Sequence, residues 1–210
     1  MIVAICSGGP IREAVFHLKA DRWIGVDRGA YHLIEEGIIP DAIVGDFDSV
    51  TEEEYARISE TVIHVEMFQA EKDETDTDLA LERALEFHPH TVLLTGVTGG
   101  RLDHHEAALR SLYRFQLAYP NIQFKIINKQ NELQFLLPGH HQLKNTKHQY
   151  LSFFAYGEAI QGVTLRGVKY ETTKEMIEQG TSRFTSNEII QDDAYIAFTS
   201  GICLMVRSMD

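Results

Sequence analysis

Along the first 120 residues, short apolar runs alternate with amphipathic ones. The runs "IVAIC", "WIGVD", "AIVG", "VIHVEM" and "TVLLTG" are too short for helices and read as strands. Between them, helical spacing fits residues 11–18, a run through "AYHLIEEG", the segment after Thr51, residues 77–87, and residues 102–118. This alternation predicts βαβ units and a mainly parallel sheet covered on both faces. From about residue 121 the helical spacing stops. β-Branched and aromatic runs follow: "FKIIN", "ELQFLL", "YLSFFAY", "VTLRGVKY", "AYIAFTS" and "ICLMVRS". Turn residues in "PGHH", "YGEA" and "SNE" separate them, as in a small antiparallel sandwich or barrel. The expected fold class is an N-terminal α/β domain, residues 1–125, followed by a small antiparallel β-sandwich domain, residues 126–210. "FKIIN" sits at the boundary and also fits the last strand of the first sheet.

Composition narrows the function classes. A net charge of -12 argues against nucleic acid or an anionic membrane surface as the main partner. "MIVAICSGGP" lacks the positive start of a signal peptide, and no stretch approaches the roughly 20 apolar residues of a membrane span. Cys6 and Cys203 lie among apolar residues and read as buried free thiols in a reducing compartment. A cytoplasmic protein is expected. The acidic excess is local: residues 41–78 hold 13 Asp or Glu against Arg57 and Lys72. Part of this is structural, since Glu52, Glu53 and Glu54 follow the N-cap type Thr51 and suit a helix dipole.

In parallel sheets, ligands sit at the carboxyl ends of the strands. The residues just past the predicted strands are Ser7-Gly8-Gly9, Asp27-Arg28-Gly29, Asp46-Phe47-Asp48, the 73–78 acidic cluster and Thr98-Gly99-Gly100-Arg101. All are glycine-rich or charged, which points to a polar, phosphate-handling rim. Each also has a plainer reading. "GDFDS" suits either a turn or two carboxylates on a hard cation. "SGGP" and "VTGGR" suit either tight turns or backbone approach to a phosphate. Glu71, Glu74 and Asp78 read as ordinary acids at a helix start, with Thr75 as the cap. Asp73 and Asp76, spaced i, i+3, face the same way and extend the acidic rim. Arg101 offers a planar fork for phosphate oxygens, with Asp103 two residues later. Neither G-x-G-x-x-G nor a Walker loop is present, and the histidines lack zinc spacing. "GTSRFTSNE" reads by itself as a solvated loop.

Taken together and in this order, "GDFDS", "DETD" at 73–76, "GGRLDH" at 99–104 and "TSRFTSNE" at 181–188 resemble the thiamine pyrophosphokinase family. "DRGA" at Asp27 is similar to the family's aspartate-glycine turn, with Arg28 where a glycine is common. The resemblance implies transfer of a pyrophosphoryl group from ATP to thiamine with release of AMP. It also implies Mg²⁺ dependence and a homodimer with thiamine near the subunit interface. On that basis Asp46, Asp48, Asp76 and Asp73 hold Mg²⁺ on the triphosphate. Arg101 neutralises the transferring group, and Asp103 orients Arg101 or positions a ligand. Asp27, Gly8, Gly9, Gly99 and Gly100 serve ATP, while Thr185, Ser186 and Asn187 read thiamine. Two rival readings remain: a metal-dependent phosphohydrolase using an Asp-x-Asp pair, and a non-catalytic nucleotide-binding regulator.

Overall fold

The structure, a computed structural model, describes residues 1–61, 67–68 and 75–210. The chain divides into two compact units, Met1–Lys129 and Gln130–Asp210.

The first unit runs β1 (Ile2–Cys6), β2 (Arg22–Val26), α1 (Arg28–Glu35), β3 (Ala42–Val44), α2 (Glu52–Thr61), β4 (Met67–Phe68), α3 (Asp76–Glu86), β5 (Thr91–Thr95), α4 (Leu102–Ala118) and β6 (Gln123–Ile127). Its strands are ordered β4-β3-β2-β1-β5-β6, and every neighbouring pair is parallel. β1, β3 and β5 are buried at consecutive residues, as expected when both faces are covered. Ala4, Cys6, Trp23, Leu33 and Leu93 form one cluster, and Ala30, Ile34, Ile43 and Ile58 another. The register sets the functional edge. Cys6 lies opposite both Gly25 and Thr95, so the residues that follow these three strands emerge together. The chain builds outward from β1 to β4 and then returns to β5 on the other side of β1. That reversal opens a crevice between β1 and β5 at the strands' carboxyl ends.

Local chemistry explains the helix starts. Thr75 Oγ1 accepts the Asp78 N–H at 3.2 Å. Thr51 and Glu54 form a reciprocal capping box: Thr51 Oγ1 accepts the Glu54 N–H at 3.3 Å, and Glu54 Oε2 accepts the Thr51 N–H at 3.0 Å. Residues 11–18 do not form the helix that their spacing predicts. The Glu13 N–H bonds the Pro10 carbonyl and the Ala14 N–H the Ile11 carbonyl, but the Val15 N–H donates to Thr95 Oγ1 at 3.0 Å. Beyond that point Phe16, Leu18 and Ala20 pack inward while His17 and Lys19 are exposed, an alternation of period two. A span this short satisfies both periods, and packing against β1 and β2 selects the extended one. The predicted strand "VIHVEM" lies outside the described residues except for Met67, which opens β4.

The second unit comprises β7 (Asn131–Leu136), β8 (Gly139–Gln142), β9 (Tyr150–Ala155), β10 (Ile160–Arg166), β11 (Thr172–Ile177), β12 (Tyr195–Phe198) and β13 (Cys203–Ser208). β13 pairs antiparallel with β7 and β9, and β11-β10-β12-β8 form a four-stranded antiparallel sheet. Leu151, Phe153, Cys203 and Met205 from one layer meet Val163, Leu165, Ile177 and Ile196 from the other in a single core. The fold class is thus the expected one, α/β followed by antiparallel β. "FKIIN" belongs to β6, parallel to β5. Two details differ from expectation. "PGHH" contributes Gly139, His140 and His141 to β8 instead of a turn, because His140 and His141 stack on Tyr195 and Phe198 of β12. "TTKEMI" forms β11 although it is polar; it is an edge strand, inward only at its ends. Cys6 and Cys203 are free and buried, and burial pushes both thiols up to about 12. Among the described residues no helix is long and apolar enough to cross a membrane.

Phe153 is fully buried in the second core. Phe153→Ala should cost about 3–5 kcal/mol, read as a lowered midpoint of urea unfolding. A loss under about 1 kcal/mol would mean that the two layers re-pack around the gap.

Candidate active site

Two neighbouring strand ends and one helix start supply the acids. Asp27 follows β2 and precedes α1, with its backbone at φ 47°, ψ -123°. Its N–H donates to the Val44 carbonyl at 2.9 Å, which ties the β2 and β3 ends together. Its Oδ1 accepts the Phe47 N–H at 3.2 Å. Oδ1 also lies 1.9 Å from where a side chain on Gly45 would begin, and Gly45 has φ +132°. Only glycine fits there. Phe47 itself sits at φ 62°, a conformation that costs a non-glycine residue of order 1–3 kcal/mol. Asp46 and Asp48 are exposed on this loop, joined by an Asp48 N–H to Asp46 Oδ1 bond of 3.1 Å. Both of the readings open for "GDFDS" are therefore present at once: it is a turn, and it presents two carboxylates.

Asp76 opens α3, and its carboxyl hydrogen-bonds that of Asp27. Burial, then Asp76, then Asp46 and Asp48 push Asp27 up from the ordinary 3.8 to about 6. Burial together with Asp46 and Asp48 likewise raises Asp76. Two carboxyls in contact share a proton or take a cation between them. Four carboxylates from three loops thus suit a hard divalent cation. Among the described residues they do not close into a ready-made cage of three. That is the donor set Mg²⁺ prefers, few carboxylates completed by phosphate oxygens and water. Asp73, the remaining acid predicted for this rim, lies outside the described residues. Asp78 lies in the first turn of α3 as expected, and it is also buried and paired with Arg114 at 2.6 Å. Beside Asp46 a cleft of about 430 Å³ is lined by Gly45, Phe47, Val50, Thr51, Glu52 and Tyr55. Phe47 meets Tyr55 edge-on at 5.4 Å.

On the other side of β2, the Gly9 N–H donates to the Gly96 carbonyl at 2.9 Å. A side chain on Gly9 would start 2.2 Å from that oxygen, so glycine is required by backbone contact between the two loops. Gly8 packs on Arg28, Gly99 on Glu13 and Gly100 on Pro10. Arg101 precedes α4 and lays its fork on Asp103, Nε to Oδ1 at 3.1 Å and Nη2 to Oδ2 at 2.6 Å. The guanidinium holds the Asp103 carboxyl down to about 2. Both side chains are exposed.

In the second unit, Ser186 is exposed at φ 55°, and its N–H donates to Ser152 Oγ at 3.0 Å. Asn187 is buried and already engaged. Its Oδ1 accepts the Tyr170 N–H, and its Nδ2 donates to the Tyr170 carbonyl, each at 2.9 Å. Thr185 Oγ1 donates to the Ser182 carbonyl at 2.9 Å. The adjoining cavity, lined by Tyr170, Arg183, Phe184, Thr185 and Asn187 among others, is about 70 Å³. That admits a few waters and no organic ring system. The ion pair of Arg28 with the buried Glu54 was not predicted. No local spacing signals it, because the pair joins α1 to α2.

Two family descriptions match the chain: "Thiamin pyrophosphokinase, catalytic domain" over residues 16–126, and "Thiamin pyrophosphokinase, vitamin B1 binding domain" over residues 140–203. Thiamine pyrophosphokinase of Bacillus subtilis (strain 168) is 41% identical over 189 residues, 90% of this chain and 87% of that protein. The crystal structure of thiamine pyrophosphokinase from Bacillus subtilis covers 100% of both chains with a TM-score of 0.94 at 38% identity. That of the Geobacillus thermodenitrificans protein covers 100% of this chain and 98% of its own, with a TM-score of 0.92 at 35% identity.

The raised Asp27 sets a pH dependence. Between 3.8 and about 6 the folded protein holds a proton here that the unfolded chain has released. Stability contributed by Asp27 is therefore lost as pH rises through that window. In chelator-containing buffer, Asp27→Asn keeps the acceptor for the Phe47 N–H. It should be more stable than the parent at about pH 8 by roughly 2 kcal/mol, with no such gain at about pH 4. Urea unfolding across this range measures it, and parallel profiles would show that Asp27 carries no charge stress.

Proposed function

The chain belongs to the thiamin pyrophosphokinase family, with a catalytic and a vitamin B1-binding domain, and from that premise we propose how its own residues perform the reaction. The protein is an enzyme, a kinase that acts on thiamine. The observation that carries the reading is the contact of Asp27 with Asp76 beside Asp46 and Asp48, at the carboxyl ends of a parallel sheet. The substrates are ATP and thiamine. The hydroxyethyl oxygen of thiamine attacks the β-phosphorus of ATP. The bond from that phosphorus to the bridging oxygen of the α-phosphate breaks, AMP leaves, and the hydroxyl proton passes to water. Such a transfer needs charge neutralisation and in-line positioning more than covalent help.

Asp46, Asp48 and Asp76 would hold Mg²⁺, with Asp73 and Asp27 adding to the acidic set. When bound there, the cation neutralises phosphate oxygens. Arg101 is free to turn its fork from Asp103 to the transferring phosphates, since the pair is solvent-exposed. Asp103 keeps that fork aimed until then. Gly8, Gly9, Gly99 and Gly100 hold the β1 and β5 loops close enough for backbone N–H groups to reach the nucleotide. The α/β unit thus handles ATP and the β unit thiamine. There the exposed Ser186 hydroxyl and Thr185 face the substrate, while Asn187 fixes the loop through Tyr170. We place the enzyme in the cytoplasm, in keeping with two free buried thiols, working as a homodimer with thiamine near the subunit interface. A phosphohydrolase with Asp46 as nucleophile expects its Asp-x-Asp pair on the first strand; here the pair follows β3.

Incubation with ATP, Mg²⁺ and thiamine, followed by chromatography, should yield AMP and thiamine pyrophosphate in equal amounts. ADP as the nucleotide product would refute pyrophosphoryl transfer. Asp46→Asn and Asp48→Asn should each lower turnover by at least about 100-fold, as when a positioned charge is lost from the transition state. Near-normal rates at saturating Mg²⁺ would reduce the pair to a turn. Ser186→Ala should raise the KM for thiamine by about 5- to 150-fold, the loss of one or two neutral hydrogen bonds, and leave that for ATP unchanged. An equal rise in both constants would move the thiamine pocket elsewhere.

A further inference from the structure

The 45–51 loop carries Asp46 and Asp48, which repel each other and the neighbouring Asp27 and Asp76. Two consecutive residues of another segment hold its two ends. Asp27 secures the near end, through the Phe47 N–H and its fit against Gly45. The far end is Thr51, which closes a capping box with Glu54. Glu54 is buried, and its Oε1 accepts from both Nε and Nη2 of Arg28, the former at 2.9 Å. Its Oε2 is the oxygen that holds the Thr51 N–H. One carboxylate therefore links Arg28 to the end of the acidic loop, while Arg28 also packs on Gly8 of the β1 loop.

We propose that Arg28, acting through Glu54, is a positioning residue for the reaction, a clamp that keeps Asp46 and Asp48 aimed at the cation against their own repulsion. The proposal rests on the cation reading of those two acids. Its signature runs against simple electrostatics. Removing a nearby positive charge should strengthen binding of a cation; removing a clamp should weaken it.

The test is titration of the full-length protein with Mn²⁺ alone, following the free-ion signal by electron paramagnetic resonance, with thermal unfolding as a check on folding. Arg28→Ala should weaken Mn²⁺ binding by about 5-fold or more, the scale of coupling within one contact network. Glu54→Gln should do the same, and the double variant should be no weaker than the worse single one. Arg28→Lys should fall between, because an ammonium cannot make both contacts of the fork. The thiamine KM should stay unchanged in all four. Tighter Mn²⁺ binding by Arg28→Ala would overturn the proposal, as would additive losses in the double variant. So would unchanged Mn²⁺ binding with a lowered unfolding temperature, which would reduce the pair to a fold contact. A parent protein that takes up no Mn²⁺ would instead remove the cation reading, whatever the variants do.

Discussion

Like charges held in contact at the end of a sheet need restraint from every side, and that requirement organises the first unit. Parallel register brings the ends of β1, β2, β3 and β5 to one edge, and the acids follow from the loops. Asp27 and Asp76 touch, with Asp46 and Asp48 close enough to raise them both. Solvent alone would let such groups swing apart. Here they are kept together by left-handed backbone at Asp27 and Phe47, by the bond from Phe47 to Asp27, and by a loop anchored at both ends. Strain and charge stress are maintained at the same place, a usual mark of a preorganised site.

Much of this was legible in the sequence. Alternating apolar and amphipathic runs predict most of the order of strands and helices, and the carboxyl-end rule picks out the polar rim. What escaped were features decided by tertiary contact. Residues 11–18 fit two periods, and only packing on β1 and β2 distinguished them. β8 and β11 are edge strands whose polar composition hides them. In the site, Asp46 and Asp48 announced themselves as a pair, whereas Asp27 meets Asp76 across 49 positions of sequence. No local pattern encodes such a contact. The same holds for Arg28 and Glu54, which are joined only because α1 lies beside α2.

The two units handle polarity differently. At the acidic rim, side chains are left with unmet charge, and even the Arg101–Asp103 pair stays in water, where a new partner can compete for it. Around Ser186 the polar groups are mostly committed to backbone. Asn187 suits a substrate edge by its residue type, yet its amide spans Tyr170 in both directions. An amide that mimics a strand partner stiffens its loop, with the exposed Ser186 next to it.

The close approach of Gly9 to the Gly96 carbonyl has a bearing on how distant relatives should be read. That contact is demanded by folding, whatever the protein does afterwards. A descendant that had lost all catalysis would still be obliged to keep a glycine there, while its Asp46 and Asp48, exposed and bonded to each other within their own turn, would be free to drift. Across such a lineage the glycines testify to shared ancestry, and, on the cation role proposed for them, the acids testify to surviving activity.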